Sequence, residues 1–350
     1  MKRYNIFIFT ILFLLSNISY SQIGGNSTYE FLNLTNSARI SALGGDFLAI
    51  KDDDITLALS NPSLITDKMD NDLSFSFVNY FSDINMGFVS YSKSFEKHGS
   101  FVASMQFVDY GRFTYADETG QTFGKFVANE YAFNIGWARQ LDSSFSIGSN
   151  LKTIYSCLET YKSYGIAVDV AATYNNSKKH FTSSLIAKNI GRQIKTYRDG
   201  NKEPLPFEIQ IGLSKKLEKA PVRFSILINH LEKFDLTYED PNNPVVETDP
   251  LTDEPLPEKK FEKAADKVMR HFVFGGELMP TKNFSILLGY NYQRRKELKI
   301  ESKVSTVGFS WGFGFKISKI NFSYGRATYH LAGAPNHITI TTNISNFIKE

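Results

Sequence analysis

The chain has 350 residues, 42% of them hydrophobic and 21% charged, with a formal net charge of +3. So mild a positive charge, with no basic patch interleaved with aromatic residues, argues against nucleic acid as a partner. The single cysteine, Cys157, excludes an intrachain disulfide and a cysteine metal cluster. Aromatic residues reach 14%, with 30 Phe and 18 Tyr, which is typical of proteins with aromatic belts at membrane interfaces.

The first predicted element is a secretory signal peptide at residues 1–21. Two basic residues precede an apolar run from Ile6 to Leu15, and small residues follow it. This run is about half of the roughly 20 apolar residues that a membrane helix needs, so we expect cleavage after Ser21. No later stretch is long and apolar enough for a membrane helix, and a membrane-spanning structure must therefore be a closed β-barrel.

Residues 22–71 precede the first predicted strand and are too many for a simple tail. The Gly44-Gly45 turn and the Asn61-Pro62 break predict a folded plug, and a flexible periplasmic leader is the alternative. The acidic run from Asp52 to Asp54 could offer oxygen ligands to calcium. Because it lacks the spacing and final Glu of an EF-hand loop, we expect it to be solvated or to cap a helix.

The barrel prediction for residues 72–350 depends on period-two alternation. Tyr131, Phe133, Ile135 and Trp137 alternate with small or polar residues, which indicates a strand with one greasy face. About fourteen such segments have the length of a tilted membrane strand, and an even number fits a bacterial barrel. We place them at 72–80, 84–94, 99–110, 130–140, 144–155, 163–174, 180–189, 207–214, 222–230, 271–279, 284–292, 304–315, 320–325 and 337–347.

The connections alternate in length, which favours a transmembrane barrel over a soluble β-sandwich. Short turns are predicted at 95–98, 141–143, 175–179, 215–220, 280–283 and 316–319. Longer loops are predicted at 111–129, 190–206, 231–270, 293–303 and 326–336, although 81–83 and 156–162 are short. Short periplasmic turns opposite long extracellular loops are typical of outer-membrane barrels.

The loop at 231–270 is the most unusual connection because five prolines stand among many acidic residues. Proline cannot join a strand ladder, so an extended excursion is expected here. Apolar residues at helical spacing predict a short amphipathic helix over Phe261 to Met269. The loop is interpreted either as a solvated segment or as a surface on which a partner docks.

Polar residues on the faces opposite the apolar ones are predicted to line the lumen. These residues are Asn134, Lys152, Asp169, Glu208, Gln210 and Asn291. They are interpreted either as groups that select a permeant solute or as groups that solvate the barrel interior or hydrogen-bond the plug. The six histidines, at 98, 180, 230, 271, 330 and 337, stand mostly at predicted strand ends, and we expect them at the membrane interface rather than on a metal. No catalytic motif is found, so no enzymatic activity and no cofactor are predicted.

Several short motifs resemble the N-terminal signature of the FadL-like barrel superfamily and, within it, the Por proteins of the Bacteroidetes type IX secretion system. They are Ala38-Arg39, Ala42-Leu43-Gly44-Gly45, Asp52-Asp53 and Asn61-Pro62. The PorV/PorQ group is the most similar, and PorQ-like members above all, through Gln22-Ile23-Gly24-Gly25, Phe31-Leu32-Asn33-Leu34, Ser37-Ala38-Arg39 and Ala332-Gly333-Ala334-Pro335-Asn336-His337. The resemblance implies a 14-stranded barrel that takes part in secreting and anchoring cargo proteins at the cell surface.

Three functions follow as hypotheses for a protein of the outer membrane. The resemblance implies a scaffold that holds a PorZ-like surface partner, together with PorU and PorV, and whose loop at 231–270 is the candidate docking surface. A FadL-like channel for hydrophobic small molecules would have a side opening and a greasy lumen pocket, with lipid or detergent bound in the lumen. A general diffusion porin would be hard to reconcile with a folded plug.

Overall fold

The computed structural model describes residues 27–80, 84–237, 260–299, 305–329 and 333–348. The predicted signal peptide and residues 238–259 of the predicted long loop lie outside these ranges. Fourteen antiparallel strands form a closed barrel in which each strand pairs with its neighbours in sequence and β1 pairs with β14. The strands are Asp72–Asn79 (β1), Asn85–Phe95 (β2), Gly99–Ala116 (β3), Thr122–Gln140 (β4), Phe145–Leu158 (β5), Tyr161–Asn176 (β6), Phe181–Lys195 (β7), Glu208–Lys216 (β8), Val222–Ile228 (β9), Phe272–Thr281 (β10), Phe284–Asn291 (β11), Phe309–Ile317 (β12), Ile320–Ala327 (β13) and Asn336–Asn343 (β14). The predicted fold class and strand number are confirmed.

Lipid on the outside explains the alternation along each strand. In β5, Ser146 and Asn150 point inward and are buried, whereas Phe145, Ile147 and Leu151 are exposed on the outer face. Large apolar side chains exposed in this way would be costly in water, but in hydrocarbon they are the favoured surface. The outer face is therefore the face of a membrane protein.

Two belts of aromatic side chains mark the edges of the apolar band. Tyr131, Tyr155 and Tyr164 form the upper belt, with Tyr155 centred 6.3 Å from Tyr131 and 5.1 Å from Tyr164. Phe145 and Tyr174, 5.0 Å apart, belong to the lower belt. Tyr155 follows Phe145 by ten residues on β5, which corresponds to about 25 Å along the membrane normal for a strand tilted by roughly 40°. The spacing matches the apolar band of an outer-membrane barrel.

One predicted loop proved to be strand. Residues 111–129 were expected to form a long loop, but β3 continues to Ala116 and β4 starts at Thr122, so the two strands form a hairpin that extends beyond the upper belt. Beyond the membrane both faces of a hairpin meet water, and the apolar alternation that identifies a strand in lipid is lost. Stacked aromatic rings hold the hairpin instead, with Phe113 centred 5.1 Å from Phe126.

Three further strand ends differ from the prediction by four residues or more. Strand β7 continues to Lys195, into the predicted loop at 190–206. Strand β12 starts at Phe309 rather than 304, and helix Tyr292–Leu298, here called α4, occupies most of the predicted loop at 293–303 because Asn291 caps it by accepting a hydrogen bond from Arg294 N. Strand β14 ends at Asn343, where a 3₁₀ turn at Ile344–Asn346 begins, rather than at 347.

The N-terminal segment is packed inside the barrel. Its helices are Ala38–Ala42 (α1) and Ile55–Ala58 (α2), with a 3₁₀ turn before them at Glu30–Asn33 and two after them at Pro62–Leu64 and Asp67–Met69. Ser37 and Asp54 cap the two helices, and the capping role expected within the acidic run is thus confirmed for Asp54. We call residues 27–71 the plug.

The predicted amphipathic helix is confirmed as α3, Lys260–Met269. Asp266 ties it to α4, accepting hydrogen bonds from Tyr292 Oη at 2.8 Å and forming an ion pair with Lys296 at 3.0 Å. Phe261, near the start of α3, is 86% exposed. None of the helices in the described ranges has the length and apolar character needed to cross a membrane.

Candidate functional site: the plugged lumen

The plug and the inner wall share one apolar core in the middle of the barrel. Plug residues Ile40, Leu43 and Phe47 are fully buried and pack with wall residues such as Leu227 and Leu287. Burying each such side chain stabilises the plug in place by roughly 1.5–3 kcal/mol. The plug is therefore held in the lumen by the same force that folds a soluble domain.

Glycines on the inner wall let the plug backbone approach closely. A Cβ on Gly289 would stand 2.1 Å from Leu43 C, and one on Gly325 would stand 2.1 Å from Ala38 O. A Cβ on Gly148 would meet Pro62 C at 2.5 Å. Glycine is required at these positions because the space is taken by backbone, which cannot rotate away.

An ion cluster fixes the plug at the periplasmic end. Arg39 of α1 contacts Asp52 at 2.6 Å, Asp54 at 2.9 Å and Glu277 of β10 at 2.9 Å. Arg223 of β9 contacts Asp52 at 2.8 Å and Glu277 at 2.9 Å. Burial on its own would raise the pKa of Asp52, but Arg39 and Arg223 hold that pKa well below its ordinary value. A cavity of about 920 Å³, lined largely by polar residues, opens beside this cluster between the short turns.

A hydrogen-bond network holds the Asn61-Pro62 corner of the plug against β5 and β6. Asn61 Nδ2 donates to Leu48 O at 2.6 Å and to Thr173 Oγ1 at 3.2 Å. Ser63 Oγ lies 2.7 Å from Thr173 Oγ1, and Ser146 Oγ donates to Ser63 O at 2.8 Å. These buried groups satisfy one another, so the corner is fixed in one conformation.

The extracellular half of the lumen is apolar on its β1–β6 side. Inward residues of the wall include Val78, Phe88 and Val108, and the plug side chains Tyr29 and Phe31 cover them. The other buried members of this cluster are Leu32, Met86, Ala132, Ile154, Ala167 and Leu205. Apolar inward residues are unusual for a general porin, whose lumen is polar. We call this set the upper apolar cluster.

The polar residues predicted to line the lumen all lie on the inner wall. Asn134, Lys152, Asp169, Glu208 and Gln210 are buried, and Asn291 is half-buried with Nδ2 3.5 Å from Gly44 O of the plug. Lys152 and Asp169 form an ion pair of 2.8 Å within the wall, and the neighbouring Lys188 lies 3.7 Å from Asp46 of the plug. Most of these groups therefore serve the wall and its contact with the plug.

Two histidines lie inside the barrel rather than at its interface with lipid. His337 is 2% exposed, and neither of its ring nitrogens has a hydrogen-bond partner in the described part of the chain. His271 is also buried, with Nδ1 2.7 Å from Asn229 O and Nε2 3.1 Å from Phe234 O. For these two the expected interfacial position is wrong, because β14 turns His337 inward and the backbone just before β10 turns His271 inward. No group of three metal-ligating side chains occurs among the described residues, and His330 lies outside them.

The ion cluster was not foreseen from the sequence, because Arg39 and Glu277 are 238 positions apart. One signal that was available is the run of glycines at inward strand positions, such as Gly148, Gly289 and Gly325, where a simple lumen would not need them. Such glycines indicate that another segment of backbone lies against the wall.

No family model matches the sequence, and no curated protein matches it. The chain is, however, similar to solved structures of outer-membrane barrels. The Pseudomonas putida toluene transporter TodX has a TM-score of 0.51 at 12% identity, over 88% of this chain and 97% of that chain. A second structure of TodX gives 0.50 at 11%, over 88% and 98%. A Pseudomonas aeruginosa FadL homologue gives 0.46 at 9%, also over 88% and 98%.

At these identities the likeness concerns the fold. The chain shares the fold of the TodX barrel, and its own closed barrel has fourteen strands, short periplasmic turns and an apolar outer band. A closed barrel with an apolar outer face and two aromatic belts is typical of outer-membrane proteins, and these features place the protein in the outer membrane.

Proposed function

We propose that this protein is a channel for small hydrophobic molecules, in which the plug controls passage through the lumen. The observation that carries the proposal is the upper apolar cluster, where Val78, Phe88 and Val108 give the extracellular half of the lumen a greasy wall. A hydrophobic solute that binds against this wall removes apolar surface from water, which favours binding. In this structure the plug side chains Tyr29 and Phe31 fill the space against that wall.

The fold supports the same proposal. TodX, a toluene transporter, shares this architecture over most of both chains. The greasy pocket expected of such a channel corresponds to the upper apolar cluster, filled here by the plug. Passage then requires these plug residues to move aside, and the plug is the gate.

Removing one plug side chain from the upper apolar cluster tests the proposal. In Phe31→Ala the wall of the cluster stays intact, while a side chain that covers it is shortened and leaves a cavity beside the wall. Uptake of radiolabelled toluene by cells carrying this variant should therefore exceed uptake by cells carrying the wild-type barrel. Phe95→Ala is the matched control, because Phe95 is the exposed last residue of β2 and lies outside the lumen. If wild-type barrel and both variants give no uptake above cells without the barrel, the channel proposal is wrong.

A second proposal is the secretion-system scaffold that the sequence resemblance implies, in which the barrel holds a PorZ-like surface partner together with PorU and PorV. One observation favours it: apolar side chains are exposed on the extracellular rim, including Phe123, Phe234 and Phe261. Exposed aromatic residues beyond the membrane are typical of protein-binding surfaces. Copurification from mildly solubilised membranes tests this, and deletion of the loop at 231–270 should abolish partner retention while the barrel stays inserted. Retention that survives the deletion contradicts the loop as the docking surface.

A further inference from the structure

The outer wall of the barrel carries three cations near the extracellular ends of β6 and β7. Lys162, Arg192 and Lys195 are all exposed. Their neighbours Ser163 and Gln193 are buried and point into the lumen, so the alternation of a strand directs Lys162 and Arg192 outward. A register shift in the β6–β7 pair places Lys195 opposite Tyr164, which is exposed on the outer face. All three cations therefore belong to the surface that meets the membrane or its headgroups.

The strand register places these cations around one tyrosine. Lys195 is the partner of Tyr164 across the β6–β7 pair, Arg192 is the partner of Ile166, and Lys162 stands two residues before Tyr164 on β6. Partners across a strand pair are about 5 Å apart, and diagonal neighbours are about 7–8 Å apart. Three long, flexible cationic side chains can thus reach the same group above the Tyr164 ring.

The height of the cluster identifies what it meets. Tyr164 belongs to the upper aromatic belt, which marks the extracellular edge of the apolar band. Lys and Arg next to such a belt extend their charged ends from the hydrocarbon toward the headgroups. The three cations therefore lie at the headgroup level of the outer leaflet.

No ion pair neutralises the cluster in the part of the chain that the structure describes. No hydrogen bond or ion pair involves the side chains of Lys162, Arg192 or Lys195 there. The outward residues of β5–β7 beyond Tyr164 include no acid, and Glu159, in the β5–β6 turn, accepts a hydrogen bond from Tyr115. Like charges so close repel one another unless an anion lies between them.

We propose that Lys162, Arg192 and Lys195 bind the phosphate groups of a phosphorylated glycolipid in the outer leaflet. Arg192 supplies the planar, bidentate donor that phosphate oxygens favour, and the two lysines supply point charges. Tyr164, at the centre of the cluster, packs against the lipid below its headgroup. This site is on the outside of the barrel and is independent of what passes through the lumen.

Lipid retention by charge variants tests the site. Wild-type barrel and the triple variant Lys162→Gln, Arg192→Gln, Lys195→Gln are placed in phosphatidylcholine nanodiscs containing lipid A, extracted in mild detergent, and the bound lipid A is counted by native mass spectrometry. The triple variant should lose affinity for lipid A by about tenfold or more, because it no longer carries the three cations that attract the anionic headgroup. Dephosphorylated lipid A should be retained as poorly by the wild type as lipid A is by the variant.

A matched control removes the same charge from the opposite end of the barrel. The control is the triple variant Lys97→Gln, Lys178→Gln, Lys179→Gln, whose three lysines are exposed in periplasmic turns. It should leave lipid A retention within about twofold of wild type. Heat-shifted gel mobility verifies that every variant is folded. Unchanged retention in the first triple variant, equal loss in the control, or displacement of lipid A by excess inorganic phosphate would each overturn the lipid site.

Discussion

Arg39 is the residue on which the ion cluster depends, because its guanidinium contacts Asp52, Asp54 and Glu277 at once. Arg39→Gln would leave buried carboxylates with less positive charge than they need. Breaking a buried ion pair by removing one partner costs about 3–5 kcal/mol. We therefore expect faster hydrogen exchange throughout the plug, with the strands still protected.

Lys68→Gln is the control for that variant. Lys68 pairs with Asp53 at 3.1 Å but is 73% exposed, and exposed pairs contribute about 0–1 kcal/mol. Hydrogen exchange measured by mass spectrometry on both variants gives the comparison. Equal exchange in the two would contradict the role assigned to the cluster.

The charge of His230 makes the stability of the start of the long loop depend on pH. Burial alone would lower the pKa of His230, but its hydrogen bond to Glu232 and the charge of Glu208 raise that pKa above the ordinary 6.5. A raised pKa means that the contact stabilises the start of the long loop fully below about pH 6.5 and is lost as the pH rises through the raised value. The pKa of Glu232 is lowered despite its burial, so Glu232 stays ionised across that range.

The measurement is an NMR titration of the His230 ring in detergent micelles, together with amide exchange of Leu231, whose N–H donates to Ile209 O at 3.0 Å. Exchange at Leu231 should become faster as the pH passes the His230 pKa, after correction for the intrinsic rate. In His230→Gln this step should disappear. A His230 pKa at or below 6.5 would refute the assignment.

At the scale of elements, the turn that follows α1 makes one of the closest contacts with the wall. Gly289 of β11 lies against the backbone of Leu43 and Gly44, and Gly289→Ala would place a methyl group 2.1 Å from Leu43 C. Since backbone cannot rotate away, the plug must shift or the strand must bend, at a cost of roughly 1–3 kcal/mol or more. The midpoint of thermal unfolding should fall accordingly.

Gly276→Ala is the matched control, because a Cβ at Gly276 on the neighbouring strand β10 would meet open space. That substitution should leave stability within about 0.5 kcal/mol of wild type. Near-equal effects of the two alanines would show that the plug does not press on the wall where the geometry places it.

Strands in lipid were the part of the fold most open to prediction. A strand in hydrocarbon needs an apolar side chain at every second residue, and segments such as Tyr131 to Trp137 show this alternation in the sequence. Outside the membrane the demand ends, which is why the extension of β3 and β4 beyond the upper belt was predicted as loop. Helix α4 escaped prediction for a related reason, since it is short and begins directly at the end of a strand.

The candidate site was predictable only in outline. The Gly44-Gly45 turn and Asn61-Pro62 indicated a folded plug, and the structure places Asn61 in a buried network with Thr173 and Leu48. Which plug residue meets which wall residue depends on pairs such as Arg39 with Glu277, far apart in sequence, and a single sequence does not report such pairs. The upper apolar cluster likewise joins side chains from the plug and from β1–β6.

At the scale of the whole molecule, the central claim is that the plug must move for a hydrophobic solute to pass. A Cβ on Gly212 of β8 would stand 3.0 Å from Ala49 Cβ of the plug. This is shorter than the separation of about 3.5–4.5 Å found in disulfides, so a small shift of the plug away from the wall would accommodate the bond. Ala49→Cys with Gly212→Cys, in a Cys157→Ser background, therefore allows the plug to be tethered to the wall and released again by a reducing agent.

Toluene uptake by cells carrying this tethered barrel is the most direct measurement. The account predicts uptake by the Cys157→Ser barrel, loss of at least about tenfold of that uptake in the oxidised double-cysteine barrel, and recovery on reduction. Uptake that is the same in the oxidised and reduced states would contradict a gating plug, and no uptake by any of these barrels would contradict the channel itself.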